Sequence, residues 1–241
     1  MPKRYLVLPL LSVALFVSPI VLAADRPVKL PTWSHQIAIR EGWLAKRQEL
    51  ILPMMRRHNI DMWVIVNEEF HNDPLTEYIA PPRPYTGNRD IFIFVDTGSA
   101  LRKVAITGYA EENVKRFFES EDDPKPADQQ LAALYTQYHP KRIGLSIEAR
   151  RGVQRSLTRD SYQFLAKSMG SDAESHFVSA ADLIEEYSDT RLPEEFDSYK
   201  MLVELTDQIT RRAFSNEVIH PGKTTVGDVR RWLYDAMGNA D

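Results

Sequence analysis

Asn59-Ile60-Asp61-Met62-Trp63-Val64-Ile65-Val66 is the stretch on which the reading of the fold turns. Asn59 to Asp61 interrupts a helical pattern. The five residues after it form an apolar run, rich in β-branched side chains and of buried-strand length. Upstream, Ile37 to His58 reads as a helix. Trp43, Leu50 and Met54 share one face, with Leu44, Ile51 and Met55 beside it. Pro53 is expected to kink or split that helix, and residues 25–36 read as an extended leader. Downstream, Asp90 to Val95 is a second strand, and Lys103 to Thr107 returns as a third. The short Asp96-Thr97-Gly98-Ser99 connection predicts that these two strands form a hairpin.

Farther out, helices are expected over 110–119, 127–138, 158–169 (ended by Gly170) and 180–187, with short strands over 142–147 and 176–178. Strands alternating with helices predict an α/β domain with a mixed sheet flanked by helices. At Ser188-Asp189-Thr190-Arg191-Leu192-Pro193 the character changes. A long helix is expected from Pro193 to Ile219, with Glu194, Glu195 and Asp197 at its positive end. Pro221-Gly222 ends it. Thr224 or Thr225 then caps a second helix that runs to Met237.

The first residues are not fold. Lys3 and Arg4 precede an apolar run, Leu6 to Val17, and Val21-Leu22-Ala23 offers a small residue for cleavage just after Ala23 or Ala24. This is the pattern of a secretory signal peptide over 1–24. It is too short for a comfortable span of roughly 20 residues, so no stable membrane anchor is expected. The expected location is exported, periplasmic or secreted. Cleavage takes the formal charge from -4 to -6. A chain this acidic lacks the basic footprint of a nucleic-acid binder. The sequence has no cysteine, which excludes a disulfide scaffold, a thiolate nucleophile and a cysteine metal site.

Chemistry-bearing motifs are sparse. There is no His-Glu-x-x-His pair, nucleophile elbow, P-loop or dinucleotide fingerprint. His71, close to Glu68, Glu69 and Asp73, is the one dense His/carboxylate cluster, and reads either as ligand-binding or as a solvated loop. Arg89 either guides a substrate carboxylate or pairs with Asp90 or another acid. Pro81-Pro82-Arg83-Pro84-Tyr85 is either a recognition segment, with Tyr85 at its end, or a rigid loop. Arg150, Arg151, Arg155 and Arg159 form either an anion site or a basic surface. Arg89, Tyr85 and His71 are the candidate substrate-binding residues. No catalytic residue and no metal ligand is assigned.

Three stretches carry a resemblance. Arg47 to Val66 leads from a helix through Asn59-Ile60-Asp61 into the buried strand. Tyr78-Ile79-Ala80 stands where Tyr-Leu-Thr-Gly is frequent, with Pro81 in place of the glycine. Arg191 to Met237 is a long helix ending in Pro-Gly-Lys-Thr-Thr, followed by Val-Gly-Asp-Val. Together they resemble the N-terminal part of the aminopeptidase P/prolidase/creatinase-type (M24, pita-bread) metallopeptidases. The resemblance implies a creatinase-like N-terminal α/β domain over 25–190, engaged in dimer contacts and in closing over substrate. It further implies that 191–241 opens a pita-bread α+β catalytic domain. In the complete protein two divalent metal ions (Mn, Co or Zn), held by two Asp, one His and two Glu, would activate water against the peptide bond before proline. Those ligands lie downstream of the helices seen here, and Asp228 and Asp235 do not match the ligand motif. The expectation is the N-terminal portion of an exported Xaa-Pro aminopeptidase-like protein, homo-oligomeric, acting on peptides, with the catalytic domain cut after two helices. The alternatives are a non-catalytic dimerisation or peptide-binding module, or a prolidase- or creatinase-like hydrolase.

Overall fold

The computed structural model describes residues 30–82, 86–108, 112–120, 125–148 and 155–239. The signal-peptide stretch, Tyr85, Arg150 and Arg151 lie outside the described residues. In chain order the elements are α1 (Trp33–Arg57), β1 (Met62–Glu68), α2 (Thr76–Ile79), β2 (Arg89–Asp96), β3 (Leu101–Ile106), α3 (Glu112–Lys115) and α4 (Ala127–Tyr138). There follow β4 (Ile143–Leu145), α5 (Arg159–Met169), β5 (Phe177–Ser179), α6 (Ala181–Asp189), α7 (Phe196–Ala213) and α8 (Val226–Gly238). Among the described residues no helix is long and apolar enough to cross a membrane. The chain forms two compact units, Leu30–Val203 and the residues from Glu204 onward, so the division falls inside α7.

The first unit has the expected fold class, an α/β domain with a mixed sheet, and extends to Val203 rather than 190. Its mixed sheet has the order β3-β2-β1-β4-β5. β1 pairs antiparallel with β2, and β2 with β3 as the predicted hairpin, while β1, β4 and β5 run parallel. Alternation along β1 and β2 separates two cores. Trp63, Ile65, Phe92 and Phe94 pack with α1 and α6 on one face. Met62, Val64, Val66, Ile91, Ile93 and Val95 pack with α4 and α5 on the other. β1 and β2 are buried on both faces, which is why they read as continuous apolar runs.

The entry into β1 follows from local chemistry. Asn59 takes a left-handed conformation (φ 54°) after the helix, which asparagine tolerates well. Asp61 Oδ2 accepts the backbone N–H groups of Lys141 and Arg142, at 2.9 and 3.1 Å, fixing the start of β4 beside β1. In β4 a side chain at Gly144 would place its Cβ 2.9 Å from Ile60 Cδ1 and 3.3 Å from Ala180 Cβ, so the approach of α6 and Ile60 requires glycine there. At the outer edge, β3 is bridged by Glu119, whose N–H donates to Lys103 O and whose carbonyl accepts from Ala105 N. The opposite edge strand, β5, is three residues long.

Several boundaries differ from the sequence reading. α1 begins at Trp33, so residues 33–36 are helical rather than leader. It continues unsplit through Pro53. Pro53 and Glu49 both lie on the exposed side, where the Glu49 carbonyl that loses its helical donor is open to water. The helix predicted over 110–119 is described as α3 and a turn, with Val114, Phe117 and Phe118 buried. The long helix predicted to Ile219 ends at Ala213. Ser215 Oγ donates to Arg212 O and accepts from Glu217 N, an alternative set of backbone bonds that competes with continuation of the helix.

In the second unit, Arg212 makes a two-pronged bond to Glu217 and lies 5.1 Å from the centroid of the Trp232 ring. Thr225 caps α8 as expected. Its hydroxyl accepts from Asp228 N, and the Asp228 carboxylate accepts from Thr225 N at 2.9 Å, a reciprocal capping box. These bonds, with Arg231, hold the Asp228 carboxyl at about 2.

Candidate functional site

The candidate residues gather where β1 ends and β2 begins. Glu68 pairs with Arg89, and Asn67 with Asp90, across the ladder. Adjacent residues of a strand face opposite ways, so Glu68 and Arg89 lie on the α5 side while Asn67 and Asp90 lie on the α1 side.

On the α5 side the charged groups pair with one another, although Arg89 Nε is buried without a hydrogen bond. Arg89 forms an ion pair with Asp160, lies 3.9 Å from Glu68, and stacks 4.7 Å from the centroid of Phe164. The acid it meets is therefore Asp160 in the first turn of α5, not Asp90. Glu68 Oε1 accepts from the hydroxyls of Thr158, at 2.7 Å, and Ser161. This sets a carboxylate at the N-terminus of α5, where the helix dipole favours negative charge. In open sheets with parallel strands, ligands collect at strand carboxyl ends where connections diverge, here between β1 and β4. The chain's own Glu68, Thr158 and Arg155 occupy that position, and only about 10 Å³ remains.

His71 follows a tight turn through Phe70 (φ 57°), with its N–H donating to Glu68 O at 3.0 Å. It lines the same small gap with Glu68, Asp73 and Arg155. Among the described residues no three His, Asp or Glu side chains converge as metal ligands. Of the arginine group, Arg155 donates to Asn72 O at 3.1 Å and Arg159 is exposed.

Where β1 ends and β2 begins, the open space lies on the α1 side; a separate shallow space of about 720 Å³ runs along α5, lined by Arg159, Tyr162 and Lys167. A cleft of about 340 Å³ is lined by Asn67, Asp73, Thr76 and Asp90, with Arg40 and Glu77 at one end. Asp73 is buried, and its Oδ1 accepts from Leu75 N at 2.9 Å. Burial raises its pKa to about 6, against the opposing pull of that N–H, Arg155 and His71. Asn67 fixes the floor by accepting from Asp73 N and donating to Thr86 Oγ1, both at 2.8 Å. A second cleft, of about 260 Å³, shares Arg40 and Glu77 and is walled by Trp43, Tyr78 and Tyr199.

Beneath the second cleft Arg47 is buried and fully engaged. It bonds Glu195 at 2.6–2.8 Å and Thr190 O at 3.0 Å, and lies between the rings of Tyr78 and Tyr187. Glu195 in turn accepts from Leu192 N. Gln48 donates to Ile79 O at 3.2 Å and accepts from Lys103 at 2.8 Å, and burial lowers the Lys103 pKa. Sequence reasoning passed over Arg40, Arg47 and Gln48. The available signal was phase: residues 47 and 48 fall on the same helical face as Leu44 and Ile51.

Comparison with solved structures gives the likeness its measure. The chain superposes on the Xaa-Pro dipeptidase from Bacillus anthracis with a TM-score of 0.57 at 16% identity, covering 81% of this chain and 49% of that one. It therefore shares its fold with that dipeptidase while spanning about half its length. No family model and no curated protein matches the sequence.

Proposed function

We propose that this chain is the N-terminal α/β portion, with the first helices beyond it, of an exported metallopeptidase that cleaves the peptide bond before proline. The observation that carries the reading is the fold likeness to an Xaa-Pro dipeptidase across 81% of the chain. The Arg191 to Met237 stretch and the capping box at Thr225 support it, because they follow the order the resemblance implies. The described residues hold no metal-ligand set, so no catalytic step is assigned to them. Their part is to present clefts and surfaces around substrate. The signal-peptide pattern of residues 1–24 supports export.

The test is made on the mature protein from its native source. Intact mass and tryptic peptides define its extent, and Xaa-Pro peptides are offered with Mn²⁺, Co²⁺ or Zn²⁺ and again with a chelator. Chelator-sensitive release of the residue before proline, with tryptic peptides beyond Asp241, is the expected result. A mature protein ending at Asp241 that cleaves no Xaa-Pro peptide would overturn the peptidase reading in favour of a non-catalytic module.

A further inference from the structure

We propose that the aromatic cleft between α1, α2 and the start of α7 binds the carboxyl end of a short peptide whose last residue is apolar. At about 260 Å³ it falls just below the usual range of ligand clefts, which run from roughly 300 Å³ upward. It suits a chain terminus rather than a folded partner. Trp43, Tyr78 and Tyr199 supply flat apolar walls, and the two tyrosines remain 41% and 42% exposed. Aromatic walls of this kind hold apolar side chains at little cost in ordering.

Charge decides which end of a peptide enters. Two arginines reach the cleft, in opposite states. Arg47 at the floor is spent on Glu195 and backbone carbonyls. Arg40 at the rim makes one hydrogen bond, to Glu77 O at 3.2 Å, and meets no carboxylate among the described residues. Most of its five-donor fork is therefore available, and that fork matches a carboxylate. Glu77 and Glu195 line the same space, so a dianion such as phosphate would meet about twice the repulsion that a single carboxylate does. One unspent guanidinium beside an aromatic slot fits a C-terminal carboxylate followed inward by an apolar side chain.

The probe is N-acetyl-Ala-Phe with a free carboxylate, compared with its C-terminal amide. Binding to the full chain is followed by calorimetry and by tryptophan fluorescence. Its blocked amine and an equilibrium readout make the result independent of peptidase activity. We expect saturable binding of the acid, at least about tenfold weaker binding of the amide, and loss of that preference in Arg40→Gln. Arg40 is half-buried and its one hydrogen bond is to Glu77 O, and circular dichroism checks that the variant keeps its fold. Trp43→Phe should abolish the fluorescence change while calorimetric binding persists. Equal affinities for acid and amide, a preference that survives Arg40→Gln, or no saturable binding at all would each overturn the assignment.

Discussion

Arg47 shows how much a single side chain can decide. It is 4% exposed and its carboxylate partner Glu195 is 3% exposed, so neither charge is met by water. Arg47→Met would strand a buried carboxylate, and we expect a loss of about 3–5 kcal/mol in urea denaturation. Adding Glu195→Gln should recover a large part of it. Asp73 behaves oppositely. Its folded pKa of about 6 lies above the unfolded value near 3.8, so the native state favours the protonated acid. Stability from this group falls as pH rises from about 4 to 6, and the penalty is complete above about 6. Asp73→Asn should therefore be near neutral at pH 4 and stabilising by about 1–3 kcal/mol at pH 8. Thermal melts across that range would show it, and a pH-independent difference would refute it. Neither role is legible in sequence. Phase puts Arg47 on the inner face of α1, but nothing local names its partner, Glu195, 148 residues later. Arg89 likewise meets its acid 71 residues away.

At the scale of elements, legibility follows the strength of the local signal. β1, β2 and the hairpin to β3 were readable because both faces are buried and the turn is short. The start of α1 was not, since Trp33 to Gln36 carry no apolar periodicity and no side-chain cap bond marks Thr32. The stop at Ala213 depends on one serine hydroxyl capturing backbone groups, which looks the same in sequence as a serine that continues a helix. Gly144 is a similar case, since only the packed structure reveals Ile60 and Ala180 over its Cα. Gly144→Val should force β4 away from α6 and cost about 1–3 kcal/mol. Gly144→Ala should be milder, and equal stability of Val and wild type would contradict the close approach.

For the whole molecule, surface chemistry governs behaviour in solution. Phe196 and Val203 in the first unit are 54% and 65% exposed. Phe214, Val226, Tyr234 and Met237 in the second are 52–88% exposed. Apolar surface of this kind favours association, and we expect light scattering to give a mass above that of one chain, falling on dilution. A monomer at all concentrations would count against it. The candidate site was legible only in neighbourhood: His71 and Arg89 mark the right end of the sheet, but the open clefts lie on the opposite face, set by pleat alternation that one residue of register would invert.

The Glu119 bridge across β3, with β5 only three residues long, governs how copies of this chain can meet. Growth of a fibril needs a free row of main-chain donors and acceptors that recruits a new segment and renews itself with each addition. Here the middle of one border is capped by the Glu119 bridge and the other is too short to template more than a few bonds. Assembly is thus directed to contacts between side chains, which dissociate on dilution. Concentrated protein held at 25 °C should leave an amyloid-sensing dye dark even as its scattered light rises.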